Sequence, residues 1–151
     1  MSPRLGWRGR GFWLGLATLV AVVVTLGGCT RDDDLIRVEV QKLTLAEGEA
    51  ANATAERLTR HGRRALPSIE AAMHTADEHG RKNLVLALRR LGDVESVPLL
   101  LHLGAYDPSP DVRREAVWTL KTWAAANDAR AQKSREAVRR LDEILQSEET
   151  G

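Results

Sequence analysis

A chain of 151 residues has room for about one domain, so a single core is expected. The formal charge of +1 conceals a split: Arg4, Arg8 and Arg10 stand in the first ten positions, leaving 19 of the 22 basic residues against 21 acidic ones from Cys29 onward. That mildly acidic mixture offers no positive field for a phosphate backbone, which argues against nucleic acid as a partner. The single cysteine excludes an intramolecular disulfide, and Tyr106, Trp118 and Trp123 are the only aromatic residues after it, so Leu, Val, Ile and Ala packed between helices must supply the core.

Residues 1–11 carry three Arg and no acid, and residues 12–26 are apolar or small apart from Thr18 and Thr25. These are the charged and apolar regions of an export signal. The run ends in Leu26-Gly27-Gly28-Cys29, which resembles the lipobox of bacterial lipoproteins. The resemblance implies a signal peptide at 1–28, cleaved before Cys29, and a membrane anchor through acyl chains on that cysteine. Two or three chains hold far more firmly than one. It also implies a place outside the cytoplasm, and Thr30 after the cysteine, where Asp would resemble an inner-membrane retention signal, favours the periplasmic face of an outer membrane in a Gram-negative cell. The competing reading is an uncleaved anchor spanning the membrane with residues 12–28, a stretch at the short end of the roughly 17 to 25 residues needed.

Residues 29–34 read as a short tether, and 35–46 as an N-terminal helix or extension. Arg37-Val38-Glu39-Val40-Gln41 alternates like a strand, while Ile36, Val40 and Leu43 form a helical stripe that Asp34 could cap. An otherwise helical chain favours the helix. From 47 to 147 the sequence repeats. Gly80-Arg-Lys-Asn-Leu84-Val85-Leu86-Ala-Leu88 recurs 32 positions later as Val112-Arg-Arg-Glu-Ala116-Val117-Trp118-Thr-Leu120, and Ala50 to Leu58 fits more loosely. Each of the first two copies is followed by a second segment, Gly62 to Ile69 and Gly92 to Leu100, with Pro67 or Pro98 early in it. Periods near 30 with two helices each mean a helical solenoid. The punctuation agrees, with Gly62 and Gly92 at helix ends and Asp107-Pro108-Ser109-Pro110-Asp111 as a capping turn. Helices are expected near 47–61, 65–76, 79–91, 94–104, 110–125 and 129–147. The last, with its apolar stripe at Ala137, Leu141, Ile144 and Leu145, suits a capping helix with a polar outer face.

Leu91-Gly92-Asp93, Val97-Pro98-Leu99-Leu100, Asp107, Val112-Arg113, Ala116 and Leu120 together resemble the HEAT-repeat family, especially the short form named after phycobilisome lyases. The resemblance covers roughly residues 48–125. It implies an all-α fold, a short right-handed α-solenoid of about three helix pairs, and a role as a binding scaffold.

No catalytic site emerges, so the chain reads as a non-enzyme without cofactor or small-molecule substrate. Cys29 would be consumed by lipid, and Ser68, Ser96, Ser109, Ser134 and Ser147 lack the small flanking residues of a nucleophile elbow. Among His61, His74, His79 and His102, only His74 has a helical partner, Glu70, and two ligands fall short of the three or four a zinc ion needs. The pairs Arg63-Arg64, Arg89-Arg90, Arg113-Arg114 and Arg139-Arg140 have acids within a turn or two, as a salt-bridged surface does; contact with anionic headgroups or acidic glycans is the alternative. Trp118 lies off the stripe of Val112, Ala116 and Leu120, and either packs on the neighbouring repeat or stands out as an interaction anchor.

The HEAT resemblance implies that partners bind the second helix of each repeat. With Val97, Leu100, Leu101 and Gly104 as the core stripe, Leu99, His102, Leu103 and Tyr106 form the opposite face. Ser68, Ala71, Ala72 and Thr75 stand at the matching positions of the first repeat, and Arg135, Glu136, Arg139 and Glu143 in the capping helix. Small residues, an apolar centre and a charged rim suit an amphipathic helix of another envelope protein; burial of that helix between its neighbours is the alternative. The sequence therefore suggests a membrane-anchored lipoprotein scaffold or adaptor in the cell envelope, or else a non-catalytic accessory or lyase-like subunit of an envelope enzyme complex.

Overall fold

The computed structural model describes residues 31–149. The export signal, the lipobox and Cys29 lie outside the described residues. The packing below is that of the compact unit Ile36–Gly151.

Residues 31–44 form helix α1. Ile36, Val40 and Leu43 are buried on one stripe, whereas strand alternation would have buried Val38, which is exposed. The helix is already formed at residue 31, so the stretch read as a tether is helical from there, and Asp34 stands inside the helix rather than capping it.

Six further helices follow: α2 Gly48–Thr59, α3 Leu66–Met73, α4 Glu78–Leu91, α5 Val97–Tyr106, α6 Pro110–Ala124 and α7 Ala129–Glu149. The described residues contain no strand. The expected spans hold with one local difference. The segments entering α3 and α5 begin as tight 3₁₀ turns, Gly62–Ala65 and Val94–Ser96, and the α-helix proper starts one residue before Pro67 or Pro98. There the missing proline N–H costs nothing. The starts of α4 and α6 are capped by side chains: Asp77 accepts the Gly80 N–H at 2.8 Å, and Ser109 accepts the Val112 N–H at 3.4 Å. Gly92 ends α4 with φ +61, a conformation that side-chain-bearing residues rarely adopt.

In chain order the repeats comprise α2 with α3, α4 with α5 and α6 with α7, and α3 packs on α4. Helices α2, α4 and α6 pack in succession as one row, while α5 lies on both α6 and α7. Leu58, Ile69, Leu84, Leu88, Leu100 and Leu120 are fully buried between these layers, each contributing about 1.5–3 kcal/mol by burial. The chain is therefore an all-α stack of helix pairs. At Gly104 a Cβ would lie 3.1 Å from Val117 and 3.8 Å from Leu141, so the glycine lets α5 approach α6 and α7 closely. At the other end of the unit, Asn83 donates to the carbonyls of Leu43 and Ala46 at 3.0 and 2.8 Å, satisfying acceptors at the end of α1.

Successive repeats are joined by a two-pronged ion pair. Arg81 donates from Nε and Nη2 to the carboxylate of Asp107 at 2.9 and 3.1 Å, and the Asp107 side chain is only 2% exposed. Replacing one member of such a pair strands the other charge. Asp107→Ala should cost about 3 kcal/mol in denaturant unfolding, and adding Arg81→Met should recover part of the loss; a neutral single variant would show that the pair does not hold the repeats.

Candidate functional site

Helix α5 positions the face expected to bind partners, and its surroundings decide which residues remain available. At about 100° per residue, Val97, Leu100, Leu103 and Gly104 point into the core, and all four are buried. Leu103 is 5% exposed, so its expected place on the outer face is corrected: it is a core residue. Leu101, expected in the core, is half-buried and faces α7. The exposed arc is thus turned toward α7 relative to the sequence reading. The reason is that α5 is apolar around most of its circumference, which leaves the period weak, and its contacts with α6 and α7 set the rotation.

What remains is a ridge of Pro98, His102 and Tyr106, all exposed, with Leu99 and Leu101 half-buried on its two shoulders. The His102 and Tyr106 rings stand 5.4 Å apart and tilted at 51°, so each restricts the other. Of the flanking positions read from sequence, Ala71 and Thr75 are exposed and Ser68 and Ala72 half-buried, while Arg135, Glu136, Arg139 and Glu143 are all exposed.

Beside the ridge runs a groove of about 770 Å³ that the sequence did not reveal. Val97, Pro98 and Leu101 of α5 and Ala137 of α7 form its apolar part, and Lys133, Arg135, Arg139 and Arg140 stand along it with the single acid Glu136. Helices α5 and α7 run in the same direction here: Lys133 lies 3.5 Å from Glu95 at one end, and Leu141 lies beside Gly104 at the other. Arg139 hydrogen-bonds Glu136 and, at 2.9 Å, Glu143. The Arg139 hydrogen bond, aided by the charges of Arg139 and Arg140, holds the Glu136 carboxyl below the usual carboxylate range. The basic positions of α7 were visible in the sequence, but only the parallel register with α5 shows that they share a groove.

Trp118 is 52% exposed and lies on α6 with the Arg89 guanidinium of the preceding repeat 4.7 Å from its ring centre. Arg89 also reaches Glu115 at 3.4 Å. One side of the indole therefore contacts the neighbouring repeat, and the rest is open.

The arginine pairs make a salt-bridged surface that crosses between repeats, as in Arg63 with Asp93 and Arg90 with Glu56, both at 3.0 Å. Asp93 is held below the ordinary carboxylate range, chiefly by the Arg63 hydrogen bond and next by the Glu95 N–H. Two of the serines serve the backbone, Ser109 capping α6 and Ser96 donating to the Asp93 carbonyl, while the Ser134 Oγ is buried without a partner. Glu70 and His74 are exposed, and His79 Nε2 lies 2.8 Å from the Ala46 carbonyl oxygen. Among the described residues no three His, Cys, Asp or Glu side chains gather to hold a metal ion. No helix of the described residues is long and apolar enough to cross a membrane.

A family model of HEAT repeats matches residues 40–121, more than half of the chain. The chain belongs to the HEAT-repeat family. No curated protein and no solved structure matches it. The HEAT match spans α2 to most of α6 and includes the ridge of α5, and HEAT repeats point to a protein-interaction scaffold as the general kind of function.

Burial divides the α5 residues into two groups with opposite consequences. Leu103→Ala should cost about 2–5 kcal/mol of stability, while His102→Ala and Tyr106→Ala should each stay within about 0.5 kcal/mol of the parent. Thermal and denaturant melts check both, and a strongly destabilised Tyr106→Ala would remove the ridge from consideration.

Proposed function

We propose that this HEAT-repeat protein is a lipid-anchored scaffold of the bacterial cell envelope, held to the membrane through Cys29 and presenting the ridge of α5 to an amphipathic helix of another envelope protein. The observation that carries the docking part is the exposed His102–Tyr106 pair between the half-buried shoulders Leu99 and Leu101. A pre-positioned aromatic pair flanked by apolar surface supplies contact area at little cost in side-chain entropy, the usual make-up of an energetic centre in protein interfaces. The anchor rests on Leu26-Gly27-Gly28-Cys29 after an apolar run with basic residues before it. A binding rather than catalytic role is supported by the local contacts of several candidate residues: His79 lies on the Ala46 carbonyl, Ser109 caps α6 and Asp93 pairs with Arg63. A lipid anchor at Cys29 would confine the scaffold and a membrane-bound partner to one surface, which raises their effective concentration.

The second reading, a non-catalytic accessory subunit of an envelope enzyme, draws support from the ligand-sized groove beside α7. Its open, cation-lined form suits another polypeptide better than an enclosed small molecule.

Two experiments test the proposal separately. Feeding cells a fatty-acid analogue should label the protein, and Cys29→Ala should abolish the label and leave an unprocessed precursor; unchanged processing would sink the lipoprotein reading. A photo-crosslinking residue placed at Tyr106 in intact cells should give one dominant adduct with a different protein, lost when Leu99 is replaced by Asp. Adducts absent or spread over many species would count against the ridge as a docking site.

A further inference from the structure

Helix α1 is apolar on two opposite faces. Ile36, Val40 and Leu43 are buried in the core of the repeat unit. On the other side Val38 is 48% exposed, and Leu45, in the turn that ends the helix, is 78% exposed. At about 100° per residue, Val38, Lys42 and Leu45 fall within an arc of about 60°, roughly opposite the buried stripe. Leu35, also exposed, continues the same helical spacing. Six large apolar side chains are exposed among the described residues, and three of them are these. The others, Tyr106, Trp118 and Leu145, lie on three different helices, so only α1 gathers exposed apolar surface on one face.

The rotation of α1 is fixed from the repeat side. Glu39 accepts from Arg57 of α2 at 3.1 Å, and Asn83 of α4 holds the carbonyls of Leu43 and Ala46. Turning the outer face inward would break these contacts and expose Ile36, Val40 and Leu43. Val38 and Leu45 therefore meet whatever lies outside the repeat unit, and the preceding sequence bears on what that is. It holds the apolar run 12–26 and Cys29, which stands two positions before the first described residue of the helix. Acyl chains on Cys29 and an uncleaved span of residues 12–28 would each bring a bilayer to the start of α1, since two residues reach at most about 7 Å.

We propose that α1 lies along a phospholipid bilayer, with Leu35, Val38 and Leu45 in the apolar zone and Lys42 among the headgroups. Lys42 suits such a stripe, because its stem can lie on apolar surface while its ammonium reaches the phosphates. Asp34 and Gln41 border the stripe on one side, so the contact is chiefly apolar and does not call for anionic lipid. So few side chains hold weakly alone, and attachment next to the helix supplies the high local concentration that makes their contact persist. The proposal rests on the membrane attachment argued above and deepens it: α1 turns a point of attachment into a surface, which sets the orientation of the repeats on the membrane.

The test is the depth of single nitroxide labels on the protein, expressed as the full chain in cells, purified and reconstituted in phosphatidylcholine vesicles. Val38→Cys and Leu45→Cys place the label on the stripe, and Arg37→Cys places it at an exposed position about 100° round the same helix. Relative to a water-soluble nickel chelate, dissolved oxygen should collide several-fold more with labels at 38 and 45 than at 37, because oxygen concentrates in lipid. Circular dichroism melts check that each variant is folded, and either stripe position suffices for the comparison. Labels at 38 and 45 as open to the chelate as that at 37 overturn the proposal. Labels shielded from both reagents also overturn it, since a protein segment then covers the stripe. The parent without an added cysteine separates this outcome from the anchor: it should take no label, because Cys29 is acylated. A labelled parent overturns the lipid anchor, and the depths are then read in a Cys29→Ser background, where the same contrast supports the stripe beside a spanning segment and its absence overturns it. Protein that does not stay with the vesicles overturns both.

Discussion

The arrangement of the repeats depends on the carboxylate of Asp107. It stands where the chain turns from α5 into α6, and it accepts from Arg81 twice and from the Ser109 N–H at 2.9 Å. Arg81 in turn donates Nη1 to the carbonyl of Ala76, just before α4, so one guanidinium joins two successive inter-repeat turns. The Asp107 carbonyl receives Arg113 from the next helix. Buried ion pairs add little net stability, because desolvation offsets much of the attraction. Their effect here is on register: sliding α4 past α6 by one helical turn would leave Arg81 and Asp107 each without a counter-charge. Leucine contacts alone would tolerate such a slide far better, since they are non-directional.

Fixed register determines what α5 can present. Once α4 and α6 are locked, Gly104 allows α5 to settle against Val117 and Leu141, and that close approach fixes its rotation. Leu103 is then enclosed, Leu101 is turned toward α7, and the arc left open is Pro98, His102 and Tyr106. The residues available for recognition are those the packing leaves over, and they carry almost none of the fold's stability. Chemistry at the ridge can therefore vary while the stack stays intact, the general condition under which one repeat architecture serves many binding roles.

The solenoid was legible because its signals are local and redundant. The 32-residue recurrence, the prolines at the second position of α3 and α5, Gly92 at a positive φ and the Ser109 cap each mark a boundary independently. For α1, the stripe of Ile36, Val40 and Leu43 outweighed the strand-like alternation, as the burial shows. The rotation of α5 was not legible. In Val97-Pro98-Leu99-Leu100-Leu101-His102-Leu103 the leucines occupy nearly every direction, so periodicity cannot separate the core face from the shoulders, and only the neighbours can. The groove was hidden for a similar reason: it joins Leu101 to Lys133 and Arg140, more than thirty positions away, through a parallel pairing of helices. Trp118 fitted both of its sequence readings in part, because a flat ring can lie on Arg89 with one side and keep the other in water.

The end of the stack follows a different rule from its middle. Arg113 repeats the carbonyl contact that Arg81 makes one repeat earlier, but the chain then passes into α7, and no third turn of the Asp107 kind follows. The final helix must close the core without a successor to lean on. It does so with small or branched residues, Ala131, Ala137 and Leu141, on the buried side, while cations of its first half reach back to the preceding elements: Arg130 lies 5.3 Å over the Trp123 ring, Lys133 3.5 Å from Glu95, and Arg135 donates to the Ala124 carbonyl at 3.0 Å. A capping helix needs a polar outer face, and any mixture of charges would meet that need. The order found here puts Arg130 in the first turn and Glu148 in the last, where the dipole favours neither, but Arg130 is held there by Asp128 and the Trp123 ring. The bases of the first half of α7 are thus placed by what they touch, the Trp123 ring, the Glu95 carboxylate and the Ala124 carbonyl, rather than by the dipole of their own helix.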